Sequence, residues 1–141
     1  MIPVVQSYRQ PPPWRVVKDG QYTPTSTGTD LVIPNWLSDS GFPDVAHASG
    51  ILVPDDATVT VRAQVTRTVT TSNTWGLSLT RNGVEILGLT NASSIGSSFT
   101  VSVPNVVVAE GDVLSVRIRT SVTAWAVVES GAVTFLEAFV A

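Results

Sequence analysis

The stretch WGLSLTRNGVEILGL, residues 75–89, decides the fold class of this chain. Asn82-Gly83 lies between two segments in which apolar and polar residues alternate. A type I′ turn needs positive φ at both central positions, and Asn-Gly adopts that conformation readily. The stretch therefore predicts a β-hairpin with a two-residue loop. The predicted pairs are Arg81 with Val84, Leu79 with Ile86 and Leu77 with Gly88, which puts Leu77, Leu79, Val84 and Ile86 on one face.

The same alternation continues on both sides of the hairpin. Residues 59–66 place valine or alanine at every second position, which is typical of a half-buried strand. Further strands are predicted over 98–103, 114–119, 124–129 and 132–140. Valine and threonine, both strand formers, supply 41 of the 141 residues, and no segment predicts an amphipathic helix. We expect an all-β protein, an antiparallel β-sandwich of about eight strands.

The N-terminal third of the chain has a different composition. Seven of the nine prolines fall at or before Pro43. Residues 1–30 are interpreted as an extended proline-rich arm and residues 31–141 as the sandwich domain. Within that domain, residues 31–50 form an irregular approach and residues 51–141 carry the strands. Pro34 suits the first position of one helical turn in LVIPNWLSD.

Four segments resemble the jelly rolls of the tumour necrosis factor and complement globular-head superfamily. They are GILVPDDATVTVRAQV, GLSLTRNGVEI, VAEGDVLSVRI and SGAVTFLEAFVA, which together cover about residues 50 to 141. Their order along the chain carries the resemblance. It implies a jelly-roll sandwich and assembly as a homotrimer.

A second resemblance is one of style. Short, cysteine-free chains rich in valine and threonine, with a proline-bearing N-terminal arm, resemble minor tail and capsid decoration proteins of tailed phages. This resemblance implies assembly on a virion, with other virion proteins as partners and a place on the capsid or tail surface. No secretory signal is visible in MIPVVQSYRQ, so we expect synthesis in the host cytoplasm.

The last predicted strand is apolar on both faces, which indicates that both are covered. A two-layer sandwich covers only one face of each sheet, so we expect a neighbouring subunit or the arm to cover the other. Glu137 lies among these residues and would be costly to bury unpaired, and Arg117 or Arg119 is its expected partner. The predicted oligomer interface comprises Phe135, Leu136, Glu137, Phe139, Arg117 and Arg119.

The segment QSYRQPPPWRVVKDG, residues 6–20, has three readings: a disordered tail, a ligand for a proline-reading domain, or an arm that holds a neighbour. We favour the arm, because prolines lower the entropy lost on docking. We expect deletion of residues 1–15 to leave a folded domain that no longer joins its assembly. The predicted arm residues are Tyr8, Arg9, Pro11, Pro12, Pro13, Trp14 and Arg15.

Composition excludes several classes of function. A net charge of −3 provides no basic face for nucleic acid, and no apolar run reaches the length of a membrane helix. Without cysteine there is no disulfide and no thiolate chemistry.

Catalytic and metal-binding signatures are weak. The single histidine, His47, lies in an irregular segment, and we interpret it as a loop residue rather than as part of a triad. Asp55-Asp56 indicates a turn before a strand, since adjacent residues on an extended chain point in opposite directions. Asp39 and Asp44 add loop carboxylates, but no calcium-loop spacing is present. We therefore predict no enzyme activity, no cofactor and no metal; a small hydrolase is the least favoured reading.

Tryptophan leaves a second function open, because its apolar face and polar tip suit sugar rings. Trp75 shares a face with Leu77 and Leu79, which favours core packing. Trp125 is the candidate ligand-binding residue. The favoured hypothesis is a structural accessory virion protein. The alternative is a β-sandwich that binds carbohydrate, such as a host surface glycan, or a receptor.

Overall fold

The computed structural model describes residues 10–68, 74–92, 97–122 and 126–140. Those ranges contain strands, turns and extended segments, and no helix. No helix in them is long and apolar enough to span a membrane. The strands are β1 (Trp14–Lys18), β2 (Leu31–Val32), β3 (Trp36–Ser38), β4 (Ala46–His47), β5 (Gly50–Leu52), β6 (Ala57–Thr66), β7 (Trp75–Arg81), β8 (Val84–Asn91), β9 (Ser98–Val108), β10 (Val113–Thr120) and β11 (Gly131–Phe139).

Two antiparallel sheets pack face to face as a jelly roll. The front sheet has the strand order β3-β1-β11-β6-β9, and the back sheet has the order β4-β5-β10-β7-β8, with β2 also paired to β10. Strands distant in sequence are neighbours in both sheets, as the crossing connections of this fold require. The predicted all-β sandwich is confirmed.

The hairpin forms where the sequence predicts it. Asn82 and Gly83 have φ of 53° and 80°, and Arg81 pairs with Val84. Beyond that pair the predicted register is wrong: Leu79 lies opposite Leu87 and Leu77 opposite Thr90. Two irregularities in the pairing shift the register, and only Leu77 and Leu79 of the predicted apolar face are fully buried.

Alternate residues of both sheets fill the core. Val59, Val61, Ala63 and Val65 of β6 are buried, as their spacing predicts. Trp75 is also buried, and its ring meets Phe99 of the front sheet edge-on, with the ring centres 6.0 Å apart. Gly50 lies where β5 meets β10, and a Cβ there would lie 2.0 Å from the Leu114 carbonyl oxygen, so no larger residue fits.

The N-terminal region differs from the sequence-based division. Residues 14–18 form β1, which lies between β3 and β11 inside the front sheet. Trp14 and Val16 point into the core and are fully buried. The sandwich therefore includes residues that we assigned to the arm, because a strand with two core side chains is more stable packed than extended in water.

The helical turn expected in LVIPNWLSD is also wrong. Leu31–Val32 and Trp36–Ser38 are strands that belong to different sheets. Asn35, with φ of 65°, turns the chain between them. Ile33 and Trp36 are buried on either side of this turn, which holds the crossing in place.

Candidate interface on the front sheet

The front sheet has one face in the core and one face directed outward, which we term the front face. It is formed by Leu37 of β3, Arg15 and Val17 of β1, Val133, Phe135, Glu137 and Phe139 of β11, and Thr60, Arg62 and Gln64 of β6, with residues of β9 beyond them. Their neighbours Val16, Leu136 and Val61 lie on the core face. The alternation predicted for the last strand is therefore present.

A row of charged residues crosses the middle of the front face. Arg15, Glu137 and Arg62 lie side by side on three adjacent strands. Arg15 Nη1 donates to Glu137 Oε2 at 2.9 Å, and Arg62 Nε donates to Glu137 Oε1 at 2.6 Å. Glu137 is only 8% exposed, and a carboxylate at that depth is stable because two guanidinium groups hold it.

Asp39 completes this network. Its Oδ2 lies 2.9 Å from Arg15 Nε, so Arg15 joins two carboxylates. The network contains two arginines and two acids and is therefore neutral as a unit. A surface with this charge pattern meets no net repulsion from a second copy of itself.

The two arginines also cover aromatic rings. The guanidinium of Arg15 lies 4.0 Å from the ring centre of Phe135, and that of Arg62 lies 4.8 Å from the ring centre of Phe139. Stacking of this kind adds cation–π attraction to the ion pairs and shields the rings from water. The apolar outer side of β11 is thus partly covered by side chains of its own sheet.

Apolar side chains remain open to water next to this row. Leu37 is 52% exposed and Val133 is 47% exposed. Leu37, Val17 and Phe135 lie opposite one another on three adjacent strands. The front face therefore combines an apolar band with a neutral ionic band, a composition typical of the centre of a protein interface.

The structure brings together only part of the predicted interface. Phe135, Glu137 and Phe139 share the front face, whereas Leu136 points into the core. The predicted pairing of Glu137 with Arg117 or Arg119 is wrong, because both arginines belong to β10 of the back sheet. Arg117 Nη2 donates to the Gly83 carbonyl oxygen at 2.8 Å, and Arg119 binds the carboxylate of Asp30.

The predicted arm residues separate into three groups. Tyr8 and Arg9 lie outside the described residues. Pro11, Pro12 and Pro13 precede β1 and are exposed or half-buried. Trp14 and Arg15 are committed to their own domain: the Trp14 ring is in the core, its Nε1 donates to the Gln10 carbonyl oxygen at 2.8 Å, and Arg15 binds Glu137. These two residues cannot anchor the arm to a neighbour.

The residues considered for catalysis or metal binding have structural partners. His47 Nδ1 accepts a hydrogen bond from the Ser49 amide at 3.0 Å. Asp56 accepts one from the Glu110 amide and Asp44 one from the Ser38 hydroxyl, both at 2.9 Å. Within the described ranges no three His, Asp or Glu residues are grouped so as to hold a metal ion.

Sequence reasoning missed a buried cation beside Trp75. The guanidinium of Arg67 lies 4.1 Å from the Trp75 ring, and its Nη1 donates to Thr120 Oγ1 at 3.4 Å. Burial lowers the pKa of Arg67 to about 10, so the side chain stays charged at neutral pH. The arginine braces one end of the sandwich. Trp125, the candidate ligand-binding residue, lies outside the described residues.

Comparison with known proteins shows the fold and no closer kinship. No protein-family model and no curated protein matches the chain. The fold is similar to that of a tumour necrosis factor of S. frugiperda, Eiger, with 12% identity, a TM-score of 0.57 and coverage of 94% of each chain. It is also similar to murine APRIL, with 17% identity and a TM-score of 0.64 over 92% of this chain and 98% of the other. The domain therefore has a tumour necrosis factor-like jelly-roll fold.

Proposed function

We propose that this chain is a non-enzymatic structural protein whose copies assemble through the front face. The observation that supports the proposal is the composition of that face. Leu37 and Val133 expose apolar surface next to Glu137, whose charge is balanced within the same sheet. Burial of apolar area supplies the driving force for such an assembly, and the neutral ionic row limits repulsion.

A second copy is the occupant that fits best. The front face carries apolar groups, two arginines and two acids in one patch, so identical patches can satisfy one another. A homotrimer is the expected form, since the sequence resembles a superfamily of trimeric jelly rolls. Assembly would bury the exposed apolar residues and deepen the burial of Glu137.

The larger assembly is proposed to be a tailed-phage virion, in which the chain is a minor tail or capsid decoration protein. The composition supports this: a short, cysteine-free chain rich in valine and threonine, with prolines concentrated near its N-terminus. Residues 1–13, which precede β1, would contact the other virion proteins. Neither nucleic acid nor a membrane is a proposed partner.

Light scattering of two matched variants tests the assembly. Val133→Asp places a charge on the front face, whereas Val84→Asp places the same charge at the hairpin, where Val84 is 69% exposed. We expect a trimeric mass for the unmodified protein and for Val84→Asp, and a monomeric mass for Val133→Asp. A monomeric unmodified protein, or an equal response of the two variants, would contradict the proposal.

A second candidate function is binding of carbohydrate or of a receptor. The observation that favours it is a pocket of about 220 Å³ on the back sheet, away from the front face. Because the two surfaces lie on different sheets, one protein can carry both functions.

A further inference from the structure

The pocket on the back sheet lies where β7 begins and where β8 and β10 end. Trp75 and Leu89 contribute its apolar lining, and Thr74, Asn91, Arg119 and Ser121 contribute polar groups. Its volume of about 220 Å³ is below the roughly 300–1,000 Å³ of sites for drug-sized ligands. There is room for one small molecule or for one unit of a longer chain.

A glycine shapes the apolar part of this region. At Gly76 a Cβ would lie 2.5 Å from the Thr90 carbonyl oxygen and 3.0 Å from Leu89 Cδ1. The absence of a side chain at this position lets Leu89 lie close against β7. Leu89 and the edge of Trp75 then form an apolar floor.

Hydrogen bonds hold the rim in a fixed geometry. The Thr74 amide donates to Ser121 Oγ at 3.0 Å, and the Ser121 amide donates to the Thr74 carbonyl oxygen at 2.8 Å. Arg119 Nε and Nη2 bind the two oxygens of Asp30 at 2.9 and 3.1 Å. A site that is ordered before binding loses less entropy when a ligand arrives.

Several polar groups on this rim are free to bind a ligand. The side chains of Thr74 and Asn91 are exposed and make no hydrogen bond to another described residue, and Arg119 Nη1 makes none within the same ranges. They offer a hydroxyl, an amide and a guanidinium donor. The charge of Arg119 is balanced by Asp30, and no carboxylate lines the pocket.

We propose that this pocket binds one neutral sugar unit of a glycan. A pyranose has hydroxyl groups around its edge and C–H groups on its face, which match the polar rim and the apolar floor. The balanced charge of Arg119 favours a neutral ring over an acidic one. The inference rests on the second candidate function above and is independent of assembly through the front face.

Saturation-transfer NMR with methyl glycosides tests this site. The probes are the methyl glycosides of glucose, galactose, mannose and N-acetylglucosamine, with N-acetylneuraminic acid as the acidic comparison, each at millimolar concentration. We expect at least one neutral probe to bind. We also expect the double variant Thr74→Ala, Asn91→Ala to weaken that binding at least tenfold, because it removes two uncommitted polar side chains and no described hydrogen bond of the fold.

The matched control is Thr58→Ala, which removes an exposed hydroxyl from the front sheet and should leave binding unchanged. Three results would overturn the proposal: no binding of any probe, binding of the acidic sugar alone, or equal binding by the double variant and the unmodified protein. The oligomer mass should be the same in every case, so failure of the sugar site and failure of the assembly are distinguishable.

Discussion

The outward faces of the two sheets use arginine in different ways. On the front sheet, Arg15 and Arg62 lie across their own strands, bind one glutamate between them and cover two phenylalanine rings. On the back sheet, Arg117 and Arg119 bind groups outside their strand, the Gly83 carbonyl oxygen and the carboxylate of Asp30. The first arrangement produces a neutral, partly apolar surface, and the second fixes turns around a pocket.

The difference follows from what lies beside each arginine. Front-face arginines have an acid and aromatic rings on the next strand, so their planar groups stack and pair within the sheet. Back-sheet arginines lie next to Ser78 and Gly76, which offer neither charge nor a ring. Residue type alone therefore does not assign a role; the neighbouring strand does.

The largest effect is expected from removal of β1, which builds the front face. Deletion of residues 1–15 removes the fully buried Trp14 and the partner Arg15, and loss of a buried tryptophan side chain costs about 3–5 kcal/mol. We expect this variant to lose cooperative unfolding in urea, which replaces our sequence-based expectation of a folded domain. Deletion of residues 1–9 keeps Gln10 and Trp14 and should leave the unfolding midpoint unchanged. Equal stability of the two truncated proteins would show that β1 is dispensable.

The next effect separates the two types of ion pair. Glu137→Ala leaves two arginines without their shared acid, and we expect a loss of about 2 kcal/mol. This is less than the roughly 3–5 kcal/mol of a fully buried pair, because the Arg62 side chain is 43% exposed. Arg119→Ala is the matched change on the back sheet, where the more exposed pair with Asp30 should contribute less than about 1 kcal/mol. Urea denaturation measures both, and equal losses would remove the distinction between the faces.

The smallest effect concerns acid stability at the hairpin end of the back sheet. The Ala109 amide and the Asn82 side chain donate to Asp112, and these hydrogen bonds hold its pKa below the usual value. The folded chain thus binds this proton less tightly than the unfolded chain does. The stabilisation is complete above about pH 4 and is lost as the pH falls through the folded-state pKa.

Asp112→Asn should therefore be less stable than the unmodified protein at pH 7, by less than about 1 kcal/mol. The difference should vanish in strong acid. Thermal unfolding at pH 7, 4 and 2.5 measures it. A difference that grows toward low pH would contradict the assignment.

Local features of the sequence were predictable, and pairing over long distances was not. Asn82-Gly83 fixes its own turn, and the alternation in β6 and β11 identifies buried and outward positions. The register shifts in β7 and β8 depend on neighbouring strands, so the turn alone could not reveal them. β1 was missed because it follows three prolines and carries Lys18 at a core position, where its Nζ donates to the Asp19 and Asn35 carbonyl oxygens at 3.1 Å.

The candidate site shows the same division. Glu137 was identified as a residue in need of a partner, but which arginine supplies it depends on which strands flank β11. Those strands are β1 and β6, which lie 122 and 75 residues away at the paired positions. No pattern within either segment encodes that adjacency.

Thiol labelling tests most directly whether copies of the chain meet at the front face. The chain has no cysteine, so Val133→Cys and Val84→Cys each introduce a single thiol. Both positions are open to water in the single chain, with exposed fractions of 47% and 69%. We predict that maleimide labels the Val133→Cys variant slowly at high protein concentration and rapidly after dilution, whereas the Val84→Cys variant reacts rapidly at both. Equal and concentration-independent rates for the two variants would contradict assembly through the front face.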